Sequence, residues 1–402
     1  MKTALIQLVS EQTLPNILPA LVLRPGQIIL CPTRRTEAQA QAIRRALELA
    51  GLSFDLRLIV LGDAPDLQAT GAAVRQAINQ AVSDGLTPLV NFTCGTKLMG
   101  LGAFVAALNT HTASLYVDSD QHRFIDGNTG PLPAALADNH GALRTAEHAL
   151  TLEIMTAAHG IEAISVGADP APFLPLSLHL LAHPDDEYRL NANLSALGNP
   201  RRPADVLETL QTPLANLTAA TARLALDAGL LTGHPEAPLL ARPKSLAKLE
   251  VWVAGERYTN ADWFAALAPL QHTLNFLGGG WWELAVYDAA RRSGRFRDLR
   301  WSVEVKSHDQ TFEKDLLGIE GLNLAAFSCK RGGEKARLVG ALDELDATAR
   351  QLGGSHARRY LAVAQPVSKA VFATVQERAR QTRTTLIGPS ARLRPENFGS
   401  PS

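Results

Sequence analysis

Two groups of residues in this 402-residue chain have types and spacing that could do chemistry. The first is the stretch Asn91-Phe-Thr-Cys-Gly-Thr-Lys-Leu-Met99. The run Thr87-Pro-Leu-Val90 before it reads as a buried strand, and Gly100-Leu-Gly-Ala-Phe-Val-Ala-Ala-Leu108 after it reads as a helix. A Gly-containing turn between strand and helix offers backbone N–H groups at a helix N-terminus, where open α/β sheets bind phosphate-bearing ligands. Thr93 and Thr96 add hydroxyl donors and Lys97 a cation. That is the chemistry of an anion or nucleotide site. The blander reading is a connection whose threonines only cap the helix. The second group is acidic with a lysine: Glu283, Glu313, Asp315 and Lys330, in the last third of the chain.

Length and composition limit what could position these residues. At 402 residues there is room for two or three domains. A hydrophobic content of 46% with 19% charged residues fits a folded soluble protein rather than a disordered one. No apolar run reaches the roughly 18 residues of a membrane span, and the N-terminus lacks a signal peptide's apolar region. Cys31, Cys94 and Cys329 are far apart and form no Cys-x-x-Cys pair, so the expectation is a reducing cytoplasm, with no disulfide framework or zinc ribbon. Net charge is zero, yet residues 271–402 hold 20 Lys and Arg against 14 Asp and Glu. A basic C-terminal third suits a polyanionic partner, although surface arginines often only solvate helices.

Residues 1–135 alternate strand-like segments at 3–9, 27–31, 55–60, 87–92 and 114–118 with helix-like segments, notably 36–50 and 71–84. That alternation predicts a parallel, doubly wound sheet with its ligand beyond the carboxyl ends of the strands. Polar residues follow three of those ends: Ser10, Gln12 and Asn16; Thr33; and the loop from Asn91 to Met99. The order Asn-x-Thr-x-Gly-Thr-Lys-x-Met resembles the ligand loop of CARF domains, the sensors of type III CRISPR ancillary proteins, which bind cyclic oligoadenylates. Cys94 stands where that family has the first glycine of a pair. The resemblance covers the first third of the chain. It implies a cyclic oligoadenylate site at Ser10, Gln12, Asn16, Thr33, Asn91, Thr93, Cys94, Gly95, Thr96, Lys97 and Met99, lying across a homodimer interface.

Residues 136–265 read mostly as helices, with breaks at Asp169-Pro-Ala-Pro172 and Gly233-His-Pro-Glu-Ala-Pro238 and long helical patterns over 206–231. Trp252 and Trp263 are candidate core anchors, and a winged-helix element is one possibility. His183-Pro-Asp-Asp-Glu187 resembles the metal-binding turn of zinc-dependent N-acetylglucosaminyl deacetylases. That family also has a preceding proline, a following Gly-rich turn and a distant His pair; here Ala182 precedes, Tyr188-Arg-Leu190 follows, and no His-x-x-His occurs. Pro184 at a helix start with acids in the first turn explains the string more simply.

In the last third, the Gly-rich turn at 278–280 enters an amphipathic helix with Glu283 in its first turn. Alternation predicts a strand at 300–306, a hairpin over 312–319 and 322–330, a helix at 343–352 ending at Gly353-Gly354, and a strand at 360–363. Helix, three strands, helix, strand, with Gly-x-Trp-x-Glu, then Glu-x-Asp, then Lys, resembles the PD-(D/E)xK nuclease domain that CRISPR ancillary nucleases carry behind a CARF sensor. The resemblance spans roughly residues 275–365. It implies phosphodiester hydrolysis assisted by Mg²⁺ or Mn²⁺, which polarises the phosphate and lowers the pKa of water. Asp315 is then the central metal ligand. Glu313, two residues earlier, shares its strand face. Glu283 approaches from the helix, and Lys330 orients the attacking water. Ser328 departs from the family, which usually has Asp or Glu two residues before the lysine. A rival register is Glu304-Val-Lys306 with Asp288 upstream.

The expected architecture is therefore α/β. A Rossmann-like CARF domain spans 1–135, a helical linker or insert 136–265, and a PD-(D/E)xK restriction-endonuclease-like domain 266–402. The expected function is a homodimeric, metal-dependent nuclease, activated by a cyclic oligoadenylate, with cyclic tetra-adenylate matching a two-fold site and DNA or RNA as substrate. Two other readings stay open: a ligand-controlled binding protein with an inactive catalytic site, and a ring nuclease that degrades the cyclic ligand.

Overall fold

Short apolar runs without a polar face build the first sheet. The computed structural model describes residues 2–118, 121, 123–165, 169–183, 185, 251–253, 256–258, 276–307, 310–389 and 393–398. In chain order the first unit contains β1 (Thr3–Leu8), α1 (Leu14–Leu23), β2 (Gln27–Cys31), α2 (Glu37–Leu49), β3 (Asp55–Leu58), α3 (Leu67–Ser83), β4 (Thr87–Asn91), α4 (Lys97–Asn109), β5 (Ala113–Asp118) and β6 (Arg123–Asp126). β1 and β2 are buried on both faces, as strands of a parallel sheet must be when helices cover both sides. The strand order is β3-β2-β1-β4-β5-β6, parallel except for β6. Chain direction reverses its winding between β1 and β4, so the switch-point crevice opens at the ends of these two strands. The alternation expected from the sequence is present. α1 is an addition; Pro15 fits its first turn, and Pro19 inside it disguised it.

The second unit contains α9 (Trp281–Arg292), β10 (Phe296–Ser307), β11 (Gln310–Glu320), β12 (Asn323–Lys330), α10 (Lys335–Gly353), β13 (Arg358–Val363), α11 (Lys369–Gln381) and β14 (Thr384–Ile387). Between the units lie α5 (Ala134–Ala137), α6 (Asn139–Ala149), α7 (Leu152–Ala158), β7 (Ala163–Ile164), α8 (Leu174–Ala182), β8 (Val251–Val253) and β9 (Glu256–Tyr258). The second sheet runs β14-β13-β12-β11-β10-β7. β10, β11 and β12 form an antiparallel meander, and β12, β13 and β14 run parallel. The expected order of helix, three strands, helix and strand is thus realised.

The connecting segment ties the two sheets into one packed body. β7 adds an edge strand to the second sheet beside β10, while α7 packs on α2 of the first unit. A single apolar core joins Leu5, Ile43 and Leu47 to Met155, Val303, Leu324 and Leu345. A second core lies on the other side of the second sheet, around Trp281, Trp282, Phe327 and Tyr360. The helical pattern at 206–231, Trp263 and the winged-helix possibility lie outside the described residues. β8 and β9 form a two-stranded ribbon within the segment expected to be mostly helical.

Candidate ligand pocket and candidate active site

At the switch point, the loops after β1, β2, β4 and β5 enclose a cavity of about 580 Å³. Buried amides set its floor. Asn91 Nδ2 donates to Gln7 Oε1 and to Pro15 O, both at 2.9 Å, and Asn16 Nδ2 donates to Leu8 O at 2.8 Å. The Cys94 thiol donates to Asn16 Oδ1 at 3.2 Å. These bonds satisfy polar groups that burial would otherwise penalise. Asn16 and Asn91 are 0% and 1% exposed and hold the loops around the cavity.

Thr93 is likewise committed. Its hydroxyl donates to Asn91 Oδ1 at 2.6 Å and accepts from the Val117 amide at 2.7 Å. Thr96 caps α4 by accepting from the Met99 amide at 3.3 Å, which leaves its own proton to donate. Gly95 has φ +88°, and a Cβ there would meet Met99 at 3.0 Å, so the turn requires glycine. Ser10, Gln12, Thr33, Thr93, Cys94, Gly95, Thr96 and Met99 all line the cavity. Lys97 does not. It is exposed and borders the adjoining cleft of Phe92, Leu101, Phe104 and Tyr116. Burial pushes the Cys94 thiol up to about 11, so it remains a neutral thiol. Glu11, Tyr116, Asp118 and His356 also line the cavity and were not read from the sequence.

The second site forms where β11 and β12 part. Their ladder stops at Leu316 opposite Phe327, and Asp315 is the next residue out. There Asp315 Oδ2 accepts a hydrogen bond from the Cys329 amide at 2.5 Å. Glu283 descends from the first turn of α9 and accepts from Trp301 Nε1 at 3.2 Å. Trp301 reaches it because Ser302, in the left-handed region at φ 53°, breaks the alternation of β10. Trp301 therefore packs on the α9 side, while Val303 and Val305 pack on the α10 side.

Burial first, and then the charge of Asp315, push the Glu283 carboxyl up to about 8. Burial also raises Asp315, while the Lys330 ammonium and the Cys329 amide pull it the other way. Two desolvated carboxylates beside one ammonium form a site short of positive charge. Ser328 shares its strand face with Lys330 and is half-buried. Burial, then Asp315 and Glu283, raise the Cys329 thiol.

Glu313 lies within electrostatic reach of Glu283 and Asp315 and has a second partner. Its Oε1 accepts from Ser302 Oγ at 2.5 Å. Among the described residues no three His, Cys, Asp or Glu side chains are grouped to hold a metal. The donors that fit a hard cation are Glu283 and Asp315. One or two carboxylates, with water and substrate phosphate completing the shell, is an arrangement Mg²⁺ accepts. The rival register is not assembled. Asp288 is buried against Arg291 and Arg292 at 3.1 and 2.7 Å, and Lys306 pairs with Glu162 at 3.5 Å. His183 is exposed and stacks on His179, with ring centroids 4.1 Å apart, and Glu187 lies outside the described residues.

Residues 4–128 match the family model of the Card1 CARF domain, and residues 271–395 match that of the Card1-like endonuclease domain. Together these matches take in more than half of the chain. Among solved structures, Can2 from Sulfobacillus thermosulfidooxidans, in complex with cyclic tetra-adenylate, superposes with a TM-score of 0.66 at 19% identity, covering 98% of each chain. Protein VC1899 from Vibrio cholerae gives 0.63 at 15% identity, over 97% of this chain and 96% of that one. A type III CRISPR defence DNA nuclease activated by cyclic oligoadenylate gives 0.52 at 17% identity, covering 92% of this chain but 47% of that chain. No curated protein matches the sequence. No helix among the described residues is long and apolar enough to cross a membrane.

Proposed function

We propose that this chain, which belongs to the CARF-domain ancillary nucleases of CRISPR defence, is a metal-dependent nuclease switched on by a cyclic oligoadenylate. The observation that carries the catalytic half is the buried pair Glu283 and Asp315 beside Lys330, at the fork of β11 and β12. Mg²⁺ or Mn²⁺, held by these two carboxylates, would neutralise the pair, polarise a phosphate and make water acidic enough to attack. Trp301 fixes the Glu283 carboxylate and the Cys329 amide fixes that of Asp315, so neither must reorganise when substrate arrives. The Lys330 ammonium lies within electrostatic reach of both acids and would offset charge gathering on the phosphate oxygens. The substrate is DNA or RNA, since hydrolysis of this kind does not use the 2′-hydroxyl.

The regulatory half rests on the switch-point cavity. Helix α4 begins beside it and is apolar on several sides, with Leu98, Leu101 and Leu108 exposed by 55%, 49% and 46%. Such a face suits a second copy of the chain. A two-fold dimer about it would set two cavities around one ring, and cyclic tetra-adenylate has the matching symmetry. Occupancy would then shift the nuclease pair toward its competent arrangement.

One observation favours a second reading. The Ser328 position supplies no carboxylate, and the basic C-terminal third could hold nucleic acid without cutting it. Both readings meet one experiment. Purified protein, checked for dimer mass by light scattering, is incubated with circular single-stranded DNA and with RNA, with and without Mn²⁺ and cyclic tetra-adenylate. Cleavage only when both additions are present is the expected result. Ligand-dependent retention of nucleic acid without cleavage under any condition would establish the binding protein instead.

A further inference from the structure

The sensor cavity has a wall that does not belong to the sensor. All of its lining residues lie at or before Asp118 except one, His356, which sits between α10 and β13 of the nuclease unit. We propose that His356 is a ligand-binding residue of the cyclic oligoadenylate pocket, supplied by the nuclease domain of the same chain. This rests on the reading of the cavity as the sensor site.

The position of His356 is built rather than accidental. Helix α10 ends at Gly354, whose amide donates to Arg350 O at 2.9 Å and whose φ is +73°. A Cβ at Gly354 would come within 2.8 Å of the half-buried His159 ring on the connecting segment, so only glycine lets the turn sit this close. Gln12, on the β1–α1 loop, donates from Nε2 to Ser355 Oγ at 2.8 Å. On the far side, the Arg359 guanidinium donates to Ala357 O at 3.0 Å. The turn is therefore held from the sensor loop, the connecting segment and its own sheet.

The chemistry of the wall explains why a histidine is useful there. The cavity wall contains two acids, Glu11 and Asp118, and Lys97 lies outside it. Among the lining residues, His356 alone carries an imidazole, whose ring N–H can donate to a phosphate oxygen. A phosphodiester oxygen would find that donor in a wall that otherwise carries two acids. The contact would also join ligand to nuclease directly, because β13 pairs with β12, the strand that carries Lys330.

The test is calorimetry of cyclic tetra-adenylate binding to the full chain. His356→Ala should weaken binding by about fivefold to tenfold, the worth of one good hydrogen bond, with an unchanged melting temperature. His356→Asn, which keeps a donor, should recover part of the loss. Ser355→Ala removes the partner of Gln12 but keeps the imidazole and should bind nearly as wild type does. Wild-type affinity in His356→Ala, alongside weakened binding in Thr96→Val, would overturn the role of His356 and leave the sensor site standing. Equal losses in Ser355→Ala and His356→Ala would overturn it too, since docking of the turn would then carry the affinity. A wild-type chain that binds no cyclic oligoadenylate would remove both this proposal and the sensor reading.

Discussion

Asp315 and Cys329 meet where two strands separate: the aspartate carboxylate takes the backbone amide of Cys329 at 2.5 Å, just past the last ladder pair of β11 and β12. The amide has lost its strand partner, and the carboxylate replaces it. One bond thus closes the end of the hairpin and aims Asp315 at Glu283. Structure and chemistry are coupled at this residue, and a variant must be chosen to separate them.

Asp315→Asn does so. Its amide oxygen can still accept from Cys329, so stability should fall by no more than about 1 kcal/mol. Ligand-stimulated cleavage should nevertheless be lost, and binding of the cyclic ligand retained. Asp315→Ala should lose activity and also about 1–3 kcal/mol of stability, because a buried amide is left without an acceptor. Full activity in Asp315→Asn, measured by cleavage of labelled nucleic acid, would remove Asp315 from the catalytic centre.

Glu283 predicts a pH signature of the metal-free protein. Its folded value, about 8, lies above the ordinary 4.5, so the folded state holds a proton that the unfolded chain releases between those values. Stability is therefore greater at the acid end of this window and declines as pH rises through it. Glu283→Gln keeps an acceptor for Trp301 but cannot ionise. Its thermal-unfolding midpoint should decline less than that of wild type across the window. Mn²⁺ should stabilise wild type most at the alkaline end. Parallel pH profiles for the two proteins would show that Glu283 is not buried against Asp315 as described.

Lys97 gives the sensor prediction. A charge-assisted contact to phosphate is worth roughly 1.5–3 kcal/mol when sheltered. Lys97 borders the cleft beside the cavity, where it would meet a ring reaching past the cavity's edge; it is exposed, so the lower figure applies, and salt should weaken the contact. Lys97→Ala should bind cyclic tetra-adenylate about tenfold more weakly at low ionic strength, a ratio that shrinks as salt is added. Calorimetry showing the same affinity for both proteins at low salt would take Lys97 out of the ligand's reach.

The strands and helices that carry both sites were legible because Gly, Pro and polar turns punctuate apolar runs. The loop from Asn91 to Met99 sits between strand and helix as its spacing implied. The partners of individual polar side chains were not legible. Asn16, Asn91 and Thr93 look like ligand donors in a sequence, yet each donates to the end of β1 or β4. A sequence names polar atoms but not their partners. Glu313 was read as a metal ligand, and a kink at Ser302 gives it a hydrogen-bond partner that no spacing announced. His356 was beyond reach for a different reason. Gln12 and Ser355 are 343 residues apart, and no local pattern announces such a contact.

Ser328 turns the shortage of carboxylates into a measurement. Position 328 adds no carboxylate to Glu283 and Asp315, and Glu313 is held by Ser302, so the site's attraction for a divalent cation should be weak. Cleavage should need relatively high metal and favour Mn²⁺ over Mg²⁺, because Mg²⁺ demands near-ideal octahedral geometry and gives up its water reluctantly. Ser328 lies on the face of Lys330 and next to the residue whose amide holds Asp315, so a carboxylate placed there reaches the same space. Ser328→Asp or Ser328→Glu should lower the metal concentration for half-maximal cleavage. The same change should raise the metal-induced gain in melting temperature, a readout that does not depend on turnover. Glu313→Gln should alter the titration little, since Ser302 already occupies that carboxylate. If Ser328→Glu leaves both the titration and the melting shift unmoved, position 328 lies outside the metal's surroundings. If Glu313→Gln raises the metal requirement sharply, Glu313 must leave Ser302 and join the two acids when the cation binds.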